Sequence, residues 1–349
     1  MSKVWNLIYS SNYDVGFMGL EKLHPFDTKK WGRVFKFLVD AGMLRNSNDI
    51  FTPQIVPEEV LKEVHTEQYL RSLNDSSVVA EIAEVSELSM IPNLLLQRYL
   101  LNPMKYHVGG TILATQIALD RGWAINIGGG FHHASRSRGG GFCFYADITI
   151  AILEARKVKD PKVLIVDLDA HQGNGHERDF IADNKVRIMD VYNYLIYPFD
   201  DQAKRGITYD YPIRPGTSDE EYLKIVRGGL EKAFAKEHDL LFYNAGTDCL
   251  AGDPLGDLQV SREGIIKRDE LVFETAAKYR TPIVMVTSGG YTSISARVIA
   301  DSILNLYKKE LIKPSKSQSA GTEEQPTTSK DEEGAAPSVN TTGEVNKPS

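Results

Sequence analysis

The sequence predicts an α/β protein with a central, mostly parallel sheet flanked by helices and an active site at the carboxyl ends of the strands. Three observations lead there. Short aliphatic runs alternate with longer helix-like stretches, as in successive βαβ units. The runs Val163-Leu-Ile-Val166, Leu240-Leu-Phe-Tyr243 and Ile283-Val-Met-Val286 are unbroken, as strands buried on both faces are. Polar clusters at 128–133, 167–171, 244–248 and 287–291 each follow directly on such a run. In open α/β sheets ligands bind just outside the carboxyl ends of the strands, so four strand ends point at one crevice.

Residues 4–9 form the first expected strand. A Gly-punctuated loop, 10–30, carries His24-Pro-Phe-Asp27 and leads to a helix at about 28–41. Pro57-Glu-Glu59 suits a helix N-terminus, with proline early and acids in the first turn. Helices then fill 57–83 and 93–120, with breaks near Asn74 and Pro103. A short strand, 123–127, runs into the Gly128–His133 cluster, a Gly/Ser/Arg loop and a helix ending near Lys157. Strands at 162–169 and 186–191 come next. The Tyr-, Pro- and Gly-rich stretch 192–217 reads as a long structured loop. Helices at 219–237, 261–278 and 293–309 alternate with the strands at 240–243 and 283–286. From Pro314 the composition turns to Ser, Thr, Glu, Pro, Gly and Lys, with Val339 and Val345 the only large apolar residues. Such a segment cannot bury a core. The expected division is a folded domain, 1–313, and a disordered polar tail, 314–349.

The chain has 349 residues, enough for one large α/β domain, and a net charge of -7, which argues against a sequence-independent grip on nucleic acid. A weak acidic field attracts lysine-rich peptides instead. Two cysteines, Cys143 and Cys249, offer no disulfide framework and read as small buried fillers. No signal-peptide-like segment opens the chain, and no apolar run nears the ~18 residues of a membrane span. The expectation is a soluble intracellular protein without a membrane span.

The chemistry centres on Val163–His176. Asp167, Asp169 and His171 stand at alternate positions, so an extended chain projects them from one face. Isolated carboxylates are too costly to bury there, and a divalent cation is the simplest partner. Asp248, past the strand at 240–243, can supply a third ligand. Three protein ligands with an open position is the pattern of catalytic zinc. The doublet His132-His133 follows three glycines, which permit close backbone approach, and a neutral His near a zinc-bound water suits a base. Tyr291, alone, would read as core or surface; beside a metal its hydroxyl can donate to a developing oxyanion. Phe142 reads as core or as the wall of a narrow channel. His24, His65, His107, His176 and His238 read as structural or surface, with His24 the one to watch.

Together these motifs resemble the zinc-dependent histone deacetylase family. The resemblance lies in Gly-Gly-Phe-His132-His133, Gly-Gly-Phe142-Cys, Asp167-Leu-Asp169-Ala-His171-Gln-Gly, Asp248-Cys-Leu-Ala-Gly-Asp253-Pro and Gly289-Gly-Tyr291, and runs from about residue 4 to 312. It is closest to class IV, through Met18–Asp27, Gly122–Asn126, His171–Asp179 and Ser288–Tyr291. It implies an arginase–deacetylase fold and hydrolysis of acyl-lysine amides in proteins or peptides, histones among them, with a preference for long fatty-acyl groups. One zinc falls to Asp169, His171 and Asp248. His133 becomes the general base, His132 its partner contacting Asp167, and Tyr291 the oxyanion donor. Gly141 and Phe142 line the acyl-lysine tunnel. Backbone atoms around Asp167 to His171 hold potassium. Regulatory complexes, a role in chromatin and transcription, and residence in nucleus and cytoplasm are implied as well.

One departure matters. Most of the wider family has Asp where this chain has Asn174, the residue that orients the second histidine. An amide oxygen still accepts a hydrogen bond but carries no charge, so His133 is expected to be less basic. Class IV resembles this chain in that respect. Among alternatives, an arginase-like binuclear site lacks two ligands, because Gly173 and Leu250 occupy their positions. A small-molecule deacetylase acting on acetylpolyamines shares the zinc and histidines and differs in rim loops that the sequence does not reveal. A non-catalytic scaffold would be expected to have lost a ligand or the base, and all are present.

Overall fold

The structure, a computed structural model, describes residues 3–16 and 27–316. Among these residues nine strands are numbered in chain order: β1 (Lys3–Val4), β2 (Leu7–Ile8), β3 (Trp123–Asn126), β4 (Val163–Asp167), β5 (Val186–Asn193), β6 (Tyr209–Ile213), β7 (Leu240–Asn244), β8 (Ile283–Val286) and β9 (Ser315–Lys316). Seven of them make one sheet in the order β2-β3-β8-β7-β4-β5-β6, with every neighbouring pair parallel. This is the expected α/β architecture and agrees with an arginase–deacetylase fold.

The unbroken aliphatic runs explain the centre of that sheet. Every residue of β4, β7 and β8 is buried. Alternate residues feed opposite cores: Leu164, Val166, Leu241 and Tyr243 join the larger cluster, and Val163, Ile165, Leu240 and Phe242 the smaller one across the sheet. Helices cover both faces. Ser261 caps the helix Arg262–Tyr279 by accepting from the Gly264 N–H at 3.0 Å. From β4 the chain proceeds through β5 and β6 toward one edge, whereas β7 and β8 lie on its other side. The order therefore reverses between β4 and β7, and at such a switch point the connections part and leave a crevice.

Three sequence expectations need correction. The stretch 192–217 is not all loop: β5 runs on to Asn193, and Tyr209–Ile213 adds β6 at the sheet edge. Pro212 and alternating exposure hid this strand, and both are tolerated at an edge where half the peptide groups need no partner. The first strand is divided, β1 pairing with β9 and β2 with β3. The polar tail expected from Pro314 begins with residues that belong to the fold, since Ser315 pairs with Val4 and Lys316 with Lys3. His24 and the rest of the Met18–Asp27 motif except Asp27 lie outside the described residues, as do 317–349.

Candidate metal centre and active site

Asp167 ends β4 opposite Asn244, which ends β7. Just beyond these two ends, at the switch point, the chain brings Asp169, His171 and Asp248 together. One donor atom from each lies within 4.8 Å of the others, and all three residues are buried. His171 Nδ1 is 3.1 Å from Asp169 Oδ1 and 2.8 Å from Asp248 Oδ2. Backbone N–H groups fix the carboxylates: Ala170 donates to Asp248 Oδ1 at 2.8 Å, and Gly289 to Asp169 Oδ2 at 3.0 Å. Burial, then the neighbouring Asp169 charge, pushes Asp248 up to about 7. Burial pulls His171 down, but Asp169 and Asp248 outweigh it and raise it to about 10. Two buried carboxylates at this spacing demand a cation, and two oxygens with one imidazole nitrogen fit zinc.

The histidine doublet reaches the centre on a loop that only glycine can make. Gly130 has φ +81, and a Cβ there would lie 2.5 Å from Asn244 Oδ1. Buried Asp147 ties the loop down, accepting from the Gly130 N–H at 2.9 Å and the Phe131 N–H at 2.8 Å. His132 Nδ1 donates to Asp167 Oδ2 at 2.9 Å. Burial lowers its proton affinity, but Asp167 and Asp169 prevail and hold it up at about 9. His133 Nδ1 donates to Asn174 Oδ1 at 2.8 Å, with no carboxylate to hold a proton. Burial, then His132 and His171, drives it well below the ordinary histidine range. The weak basicity of His133 comes from burial and from the neighbouring His132 and His171 rings, while the hydrogen bond to Asn174 acts the other way.

Tyr291 and His133 both flank His171 at this centre. The His171 ring lies 5.8 Å from that of His133 and 6.3 Å from that of Tyr291, centroid to centroid. Asp253 Oδ2 accepts the Tyr291 N–H at 2.8 Å and so fixes its backbone. Burial, then Asp169 and Asp248, pushes the phenol well above its usual range, which keeps the hydroxyl a donor. One small cleft is lined by His132, His133, Gly141, Phe142, Asp169 and Tyr291, together with Trp31, Gly129 and Phe131. Gly141, at φ +50, leaves no room for a side chain: a Cβ would sit 2.5 Å from His133 Cδ2.

All ten sequence-predicted site residues thus meet at one strand-end crevice. Sequence reasoning missed others. Tyr197 packs edge-on against His133, with ring centroids 4.8 Å apart, and comes from the stretch read as a long structured loop. His176, read as structural or surface, is buried with Nε2 2.8 Å from Asp167 Oδ2. Lys30 is wholly buried and donates to the Ser288 carbonyl and, at 2.9 Å, to that of Gly289, just before Tyr291. No periodicity or motif marks Tyr197 or Lys30. His176 carried a faint signal, being five residues after His171 on the same strand-end segment.

A parallel sheet with this Asp/His/Asp centre, a histidine pair and a tyrosine beside it defines a metal-dependent hydrolase. Residues 24–307 match the histone deacetylase domain family. The chain is 52% identical over 314 residues to histone deacetylase 2 of Arabidopsis thaliana, spanning 89% of this chain and 81% of that one. It is 27% identical over 299 residues to human histone deacetylase 1, spanning 81% of this chain and 61% of that protein. The crystal structure of the HDA15 HD domain superposes with a TM-score of 0.71 at 20% identity, covering 89% of this chain and 90% of that one, which speaks to the fold. The chain belongs to the histone deacetylase family and is a zinc-dependent hydrolase.

Proposed function

We propose that the protein removes acyl groups from the ε-amino group of lysine in proteins, as a class IV enzyme that favours long fatty-acyl chains. The observation that carries the reaction is the buried Asp169–His171–Asp248 set with the His133 and Tyr291 rings both beside it. Asp169, His171 and Asp248 would hold zinc. When bound, zinc polarises an amide carbonyl and lowers the pKa of water. His133, its proton fixed on Nδ1 by Asn174, offers Nε2 to take a proton from the attacking water and to return it to the departing lysine amine. His132, anchored by Asp167, keeps its own ring in register beside it. The Tyr291 hydroxyl donates to the carbonyl oxygen as negative charge grows there. Phe142 and Tyr197 supply apolar walls for the methylene stem of lysine.

The long-chain preference rests on the resemblance to class IV enzymes. Side-by-side turnover of acetyl-lysine and myristoyl-lysine peptides, with acetylspermidine as a third substrate, tests the reading. Faster turnover of the myristoyl peptide is expected. Turnover of acetylspermidine alone would identify a small-molecule deacetylase, and no turnover by zinc-loaded protein would identify a scaffold. On the family resemblance we also assign potassium to backbone atoms from Asp167 to His171, residence to nucleus and cytoplasm, and histones and regulatory complexes to the partners. Potassium dependence of melting and imaging of a tagged chain check the first two.

A further inference from the structure

The hydrogen bonds that begin at His133 do not stop at Asn174. The Asn174 Nδ2 group donates to Asp200 Oδ2 at 3.1 Å. Asp200 lies on the loop after β5, three residues past Tyr197, and its side chain is only 9% exposed. Its carboxylate also accepts from Arg178 Nε at 2.7 Å, from Arg178 Nη2, from Arg138 Nη2 at 2.7 Å and from the Ala203 N–H at 3.2 Å. Its main chain is locked to Gln172, one residue after a zinc ligand: Gln172 Nε2 donates to the Asp200 carbonyl at 3.1 Å, and the Asp200 N–H to Gln172 Oε1 at 3.3 Å.

A carboxylate that is ionised between two arginines only accepts. Asn174 must therefore turn Nδ2 toward Asp200 and Oδ1 toward His133. An amide oxygen also only accepts, so the His133 proton must sit on Nδ1, which leaves Nε2 bare for the substrate side. We infer that Asp200 is a positioning residue that acts through Asn174 to set which nitrogen of His133 carries the proton. The inference rests on the proposed deacylase reading only in giving His133 a base to play. The arrangement separates two jobs that one carboxylate would combine. Orientation passes along the chain of bonds, while the charge stays one residue further out and is neutralised by Arg178 and Arg138. His133 is oriented without being made more basic.

Asp200 Oδ2 is the atom that accepts from Asn174, from Arg178 Nε and from Arg138 Nη2. Asp200→Ala removes that acceptor, so Asn174 can present either Nδ2 or Oδ1 to His133 and the ring proton divides between Nδ1 and Nε2. Asp200→Asn is the control: its amide oxygen takes the position with three donors, still accepts from Asn174 and should leave the proton on Nδ1. Adding Asn174→Asp to D200A supplies a carboxylate that accepts from His133 Nδ1 whichever way it turns. The measurements are kcat and KM on acetyl- and myristoyl-lysine peptides, and nitrogen-15 NMR of the His133 ring, all in zinc-loaded protein. D200A should lower kcat about 10-fold, short of the ~10⁴ that a fully wrong tautomer costs in a related constellation. KM should change little, and part of the ring proton should move from Nδ1 to Nε2. The N174D/D200A protein should recover most of the kcat and return the proton to Nδ1. If Asp200 only clamps the loop that carries Tyr197, the loss appears in KM and the added N174D change does not repair it. That result, or a D200A protein with the proton still wholly on Nδ1, overturns the inference. If the proton moves as expected but no peptide is turned over even by wild type, the acyl-lysine reading fails and the positioning role stands.

Discussion

His132 and His133 are neighbours in sequence and differ in what anchors them. His132 is held from the sheet interior, where Asp167 also accepts from His176 Nε2, the Asn244 amide and the Asp169 N–H. All four bonding directions of that carboxylate are used, and it stays charged. His133 is held from the loop side by a neutral amide backed by a carboxylate between two arginines. The result is one ring raised to about 9 and one driven well below the usual range. The two buried rings are pushed apart by the charges around them, carboxylates beside His132 and the His132 and His171 rings beside His133, and pairs of groups pushed apart in this way mark the division of acid and base roles.

The comparison can be tested from its foundation upward. Both rings serve one centre, so Asp248→Ala should have the largest effect, loss of most of the zinc and with it turnover. A purified D248A protein holding one zinc per chain at full affinity would remove the centre from both. Next in size is the base. His133→Ala should lower kcat roughly 10²–10⁴-fold with zinc retained, and His132→Ala should cost less. A larger loss from H132A would reverse the roles. Tyr291→Phe removes only a hydroxyl and should reduce kcat about 100–1000-fold, with zinc and substrate binding little changed. Wild-type turnover in Y291F would leave the oxyanion without its protein donor. The smallest effect is in pH dependence. His133 works when neutral, and its neutral form is the majority above its pKa. Because that pKa lies well below 6.5, the acid limb of kcat/KM should fall below pH 6.5. An acid limb above that value would mean that burial and the neighbouring rings do not weaken His133.

Much of this was legible from local pattern. The period-2 spacing of Asp167, Asp169 and His171, the unbroken strands that lead into it and the glycines before His132 are properties of consecutive residues, and strand geometry converts them directly into a shared face. The edge strand Tyr209–Ile213 was not legible, because an edge tolerates the proline and exposed polar residues that otherwise signal loop. The long-range partners were not legible either. Asp248 was read as a ligand from its strand-end position, but its distance to His171 depends on β7 lying beside β4.

The sequence by itself determined the alternation of strands and helices, the shared face of Asp167, Asp169 and His171, and the glycine-led histidine pair, because each is written in a short segment whose geometry is local. Tertiary structure alone decided that His176 shares Asp167 with His132, that Tyr197 packs edge-on against His133, that Lys30 fastens the carbonyls before Tyr291, and that Asp200 stands behind Asn174. Those contacts join segments tens to hundreds of residues apart or turn on how a loop folds back. Which side chains meet there is fixed by the order of strands in the sheet and the packing around it, and neither is encoded in any one stretch of the chain.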